Sequence, residues 1–98
     1  MPPTQVLPAS RFNVDMPATG GLASSVRFKW GASPGEYTGH RDFPMEPNFS
    51  KPMGEVLPEP GVYYVAACGV NDLGEGALSN EVNVDYRVPD APSLGLSV

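Results

Sequence analysis

The sequence is poor in most of the residues on which chemistry is usually built. It has one histidine and one cysteine in 98 residues. A lone Cys68 permits no intrachain disulfide, so the chain is not a disulfide-stapled mini-domain. A lone His40 has no second imidazole or thiol to share a metal, and no recognised nucleophile or orienting acid stands at a useful spacing from it. Basic residues are few as well. Six lysines and arginines face eleven acidic residues, for a net charge of −5. The six are scattered, so the surface repels phosphate backbones and no nucleic-acid partner is expected. No run approaches 18 consecutive apolar residues, so no membrane span is expected. The start, Met1-Pro2-Pro3-Thr4-Gln5, has no basic segment followed by an apolar run, and no signal peptide is expected. Helical periodicity is missing from every window of useful length.

Proline and glycine are abundant, with twelve and eleven copies. They cluster between short apolar runs, which is the pattern of many strands joined by turns. Residues 11–16 alternate, with Phe12, Val14 and Met16 on one face, until Thr19-Gly20-Gly21 breaks the run. Residues 24–30 alternate most cleanly. Val26, Phe28 and Trp30 point one way and Ser25, Arg27 and Lys29 the other, as an antiparallel sheet with one covered face requires. Residues 36–43 are expected to return as an irregular strand, followed by Pro44, Pro47 and Pro52 and a short strand at 55–57. Residues 62–70 are apolar on both faces: Tyr63, Val65, Ala67 and Gly69 on one, Tyr64, Ala66, Cys68 and Val70 on the other. Such a strand is either doubly covered or offers one face to a partner. Residues 79–87 alternate again, with Val82, Val84 and Tyr86 on one side.

Several polar features carry little chemistry. Gly74-Glu75-Gly76 precedes a strand, so it has no helix N-terminus with which to hold phosphate. Asn48-Phe49-Ser50 is a formal glycosylation acceptor, read as chance in a chain with no visible signal peptide. Asp72, Glu75 and Glu81 fall near one end without the alternating loop positions of a calcium cage. Neither catalysis, a cofactor nor a metal is expected.

The stretch 57–82 carries a family likeness. Leu57 and Pro58 are followed by Tyr63, six residues after the leucine. Asn71, Gly74, Ser79 and the run Asn80-Glu81-Val82 follow in turn. This resembles the E–F corner, strand F, F–G loop and strand G of a fibronectin type III domain. Trp30, closing its strand some thirty residues earlier, resembles that family's core tryptophan on strand B. The likeness covers residues 9–88. It implies an all-β protein: a single immunoglobulin-like antiparallel β-sandwich over residues 9–87, with an N-terminal arm over 1–8 and a C-terminal arm over 88–98. It also implies a core of Trp30, Phe28, Val26, Leu57, Tyr63, Val65, Val82 and Val84, with Tyr63 as the tyrosine of the corner. Gly39 and Arg41 depart from the family, standing where strand C usually has core residues. Gly69 departs too, where alanine is frequent.

The fold implies no activity, because this sandwich is a scaffold for many functions. The ends are more informative. Residues 88–92, Val-Pro-Asp-Ala-Pro, look like the link that opens a following repeat, and Leu94, Leu96 and Val98 then alternate with Gly95 and Ser97. Each such side chain is worth about 1.5–3 kcal/mol when buried. A protein partner is therefore expected at Leu94, Leu96 and Val98, and at the strand face Tyr64, Ala66 and Cys68. By analogy with small domains of this kind on phage particles, the expected function is a virion decoration or head- or tail-associated protein, assembled in the host cytoplasm. It would bind a coat or tail protein, or itself, through its arms. The alternative is one repeat of a bacterial extracellular protein, acting as a spacer or carbohydrate-associated module.

Overall fold

The computed structural model describes residues 3–16 and 21–98. The break expected at Thr19 and Gly20 lies outside the described residues. In chain order the elements are β1 (Thr4–Gln5), β2 (Arg11–Asn13), β3 (Ser25–Gly31), β4 (Gly39–Pro44), β5 (Ser50–Pro52), α1 (Met53–Val56), β6 (Gly61–Asn71), β7 (Gly74–Glu75) and β8 (Val82–Tyr86). The fold is all-β apart from the single helical turn. The larger sheet has the order β1-β8-β6-β3-β4, with β7 folded back on the end of β6, and β2 and β5 form a second sheet.

Three expectations are corrected here. The larger sheet is mixed rather than antiparallel throughout, because β1 runs parallel to β8, pairing Thr4 with Val84 and Gln5 with Asp85. Residues 53–56 form a helical turn where a strand was expected at 55–57. The Leu57 N–H closes that turn on the Met53 carbonyl at 2.9 Å. Trp30 also lies in a different place. In an immunoglobulin-type sandwich strands B and F belong to opposite sheets, yet β3 bonds to β6 along its whole length, from Ser25↔Val70 to Gly31↔Tyr64. The short connection from Gly31 to Gly39 makes β3 and β4 a hairpin. That leaves the other edge of β3 for β6.

The core forms where the apolar faces of the two sheets meet. Val26, Phe28 and Trp30 of β3, Val65 and Ala67 of β6, and Val84 of β8 face Phe12 of β2, Phe49, and Met53, Val56 and Leu57 around α1. Phe28 sits at the centre, with ring centroids 5.4 Å from Phe12, 5.8 Å from Phe43 and 6.0 Å from Phe49. Pairs of this kind add about 0.5–1.5 kcal/mol beyond area burial. Phe49 reaches the core because Asn48, at φ 51°, reverses the chain just before it; asparagine is among the few residues that adopt this region readily. Tyr63 packs on the core margin. Val82 does not join the core as expected: it pairs with Val65 but is 38% exposed and lines a groove.

Both glycine departures have a steric cause. Gly39 is the cross-strand partner of Trp30, and a Cβ there would overlap the indole ring. A Cβ at Gly69 would come within 2.7 Å of the Met16 methyl, so Met16 fills the space left open there. Arg41, on the same edge, sends its guanidinium across to the Glu55 carbonyl and ties β4 to α1.

Candidate functional site

The outer face of β6 is covered by charged side chains of the same chain. Register sets Arg27 opposite Cys68 and Lys29 opposite Ala66. The Asn71 side chain accepts the Leu73 N–H at 2.8 Å, and Gly74 at φ 128° completes a tight reversal into β7. That reversal returns Glu75 over the same face. Arg27 holds Asp42 through two hydrogen bonds of 2.7 and 2.9 Å, and Lys29 reaches Glu75 at 2.6 Å. Arg27 keeps the Asp42 carboxyl below its ordinary range, and Lys29 does the same for Glu75.

Beneath this ladder Ala66 and Cys68 are buried and Tyr64 is half-buried. The expectation that Tyr64, Ala66 and Cys68 form an open partner face is therefore corrected. Burial, and then Glu75 with its oxygen 3.5 Å from the sulfur, push the Cys68 thiol up. A protonated, covered thiol is a poor nucleophile. His40, on β4 opposite Lys29, is exposed. Among the described residues no group of three or more histidine, cysteine or acidic side chains could hold a metal ion. Among the described residues no helix is long and apolar enough to cross a membrane.

A second polar cluster ties the β3–β4 loop to the segment before β8. Glu81 accepts the Tyr37 hydroxyl at 2.5 Å and the Gly35 N–H at 2.8 Å. The hydrogen bond to Glu81, with burial behind it, pushes the Tyr37 hydroxyl up to about 12.

A groove of about 750 Å³ lies between β2 with its continuation to Met16 and the 76–82 segment. Val65, Ala67 and Gly69 of β6 line it, with Val14 and Met16 on one side and Leu78 and Val82 on the other. No lysine, arginine or histidine lines it. Its one serine hydroxyl, on Ser79, is already engaged, accepting from the Ala67 N–H at 2.9 Å and donating to the Asn80 carbonyl at 2.8 Å. Such a groove offers apolar contact and backbone hydrogen bonds rather than acid–base chemistry.

The two arms differ. Thr4 and Gln5 are already paired to β8, and the Val6 N–H donates to the Asp85 carbonyl at 3.0 Å. The N-terminal arm is thus an edge strand of this sheet, not a free donor. Residues 87–98 form no strand, and Leu94, Leu96 and Val98 are fully exposed or nearly so. The molecule is 68 Å long but only 26 by 21 Å across.

Comparison with protein-family models, with curated proteins and with solved structures finds no match. The groove was not legible in the sequence, since it arises from how few residues β2 and β5 span relative to β6. Nor was the charged ladder, whose members are brought together only by strand register.

Proposed function

We propose that the protein is a non-catalytic assembly module, an immunoglobulin-like sandwich of the fibronectin type III kind that decorates a virus particle or its head or tail by binding coat protein. The observation that carries the binding role is the 93–98 segment. Three alternating apolar side chains stand in water beyond the last strand of the β body. The arrangement β8-β6-β3-β4 against β2-β5 supports the sandwich reading, with β3 in the place of strand C, where immunoglobulin domains carry their buried tryptophan. The Tyr63 hydroxyl, bonded to the Glu59 carbonyl at 2.7 Å, supports it too. The virion itself rests on analogy between folds.

The test is mass spectrometry of gradient-purified virus particles from the source of the gene. A fixed ratio of this chain to coat protein is expected; particles without it sink the virion reading. The link at residues 88–92, with prolines at 89 and 92, favours a second reading as one repeat of a bacterial extracellular protein. Under that reading the chain is recovered as part of a longer secreted polypeptide.

A further inference from the structure

We propose that the groove beside β2 receives residues 94–98 of a second copy of this chain, added as a strand along the free edge of β2. The proposal rests on the reading of this segment as a binding element and names its partner.

The edge is defined by the small sheet's own hydrogen bonds. The Met53 N–H donates to Ser10 and the Val14 N–H to Phe49. Antiparallel alternation between these points places Phe12 in the bonded pair with Lys51. The peptide groups of Arg11 and Asn13 therefore face away from β5, and among the described residues nothing bonds them. Residues of both parities from Phe12 to Met16 line the groove. That is expected of a groove running along a strand edge rather than under one face of it.

The segment has what this edge lacks. Its backbone makes no hydrogen bond to the described residues. Leu94, Leu96 and Val98 fall on one side of an extended chain and Gly95 and Ser97 on the other, the period of strand addition. It carries no charged side chain from Ala91 onward, which suits a groove whose charged lining residues are Asp15 and Glu75. A segment of an acidic partner would be repelled there.

The segment does not lie in its own groove. It leaves the sheet at Tyr86, opposite Gly61, whereas the groove is lined by the other half of β6. Prolines 89 and 92 favour an extended link, and Leu94, Leu96 and Val98 beyond it are covered by nothing among the described residues. The contact therefore joins the groove of one copy to the strand of another, and it closes as a reciprocal pair or a ring or runs on as an open chain.

The experiment uses the full chain and two variants at exposed positions. Leu94→Asp/Leu96→Asp disables the segment, and Leu78→Asp/Val82→Asp disables the groove; circular dichroism confirms that each is folded. By light scattering, the unaltered protein is expected to grow in mass with concentration while each variant alone stays monomeric. An equimolar mixture should give a one-to-one complex and nothing larger. A labelled peptide of residues 88–98 should raise its anisotropy with the segment variant and not with the groove variant. A wild type that stays monomeric at every concentration overturns the proposal, whether or not the peptide binds, and so does a peptide that binds neither variant. If the monomer binds virus particles through the groove, the occupant is a coat segment; this inference falls and the functional reading stands. If self-association is seen and purified particles lack the chain, the functional reading falls alone.

Discussion

The hydroxyl of Tyr63 donates to the carbonyl of Glu59, four residues earlier, at 2.7 Å, while its ring rests on the core margin. One side chain thus pins the corner that leads from Leu57 into β6. Tyr63→Phe keeps the ring and removes the bond. A loss of about 0.5–1.5 kcal/mol is expected, or roughly 4–8 °C in Tm per kcal/mol for a domain of this size. Urea and thermal unfolding measure it; an unchanged midpoint contradicts the role given to this bond.

Gly39→Ala tests the close approach of β4 to Trp30. The new methyl group would overlap the indole, so the ring must shift in a packed core. Overpacking of this kind costs about 1–3 kcal/mol. A matching change in tryptophan fluorescence is expected, since Trp30 is the only tryptophan.

Neutralising Glu75 removes the negative charge that lies beside the thiol. In Glu75→Gln both Arg27 and Lys29 lose an anionic partner, and Cys68 loses the carboxylate that helps hold its proton. Faster modification by a thiol-specific disulfide reagent is expected, with little change in unfolding midpoint because exposed ion pairs contribute little. An unchanged rate means the ladder does not guard the sulfur.

Stability falls at both ends of the pH range, for separate reasons. Asp42, Glu75 and Asp85 are held below their ordinary ranges, chiefly by Arg27, Lys29 and Arg87. Their contribution is present above the ordinary carboxylate range near pH 4. It is lost as pH falls through the lowered values. Tyr37 behaves in the opposite sense. Its hydroxyl is raised from 10.0 to about 12, so its contribution is complete below pH 10 and disappears as pH rises towards about 12. Unfolding midpoints across pH 9–12 should flatten in Tyr37→Phe relative to the wild type; parallel curves count against the Glu81 bond.

What could be read from the sequence divides along physical lines. Val26, Phe28 and Trp30 declare themselves because period-two alternation is local, and they are buried. Phe49, Met53 and Val56 are buried too, but they lie among prolines 44, 47 and 52, where neither strand nor helix period can establish itself. Val82 shows the reverse error. Its alternation is correct, yet burial depends on what the opposite layer covers, which alternation does not reveal, and Val82 is left lining the groove. The outward face of β6 looked bare for a similar reason: Arg27, Lys29, Asp42 and Glu75 meet only through register. The alternation of Leu94, Leu96 and Val98 is plain in the sequence, and their exposure is what the structure adds.

The parallel seam between β1 and β8 has a mechanical consequence. A pull on the chain before Thr4 and beyond Tyr86 acts on two adjacent strands at opposite ends. Their hydrogen bonds, with that of Val6 to Asp85, are then loaded together in shear rather than peeled one by one. A module tethered by those two segments would resist tension along the line in which it is anchored.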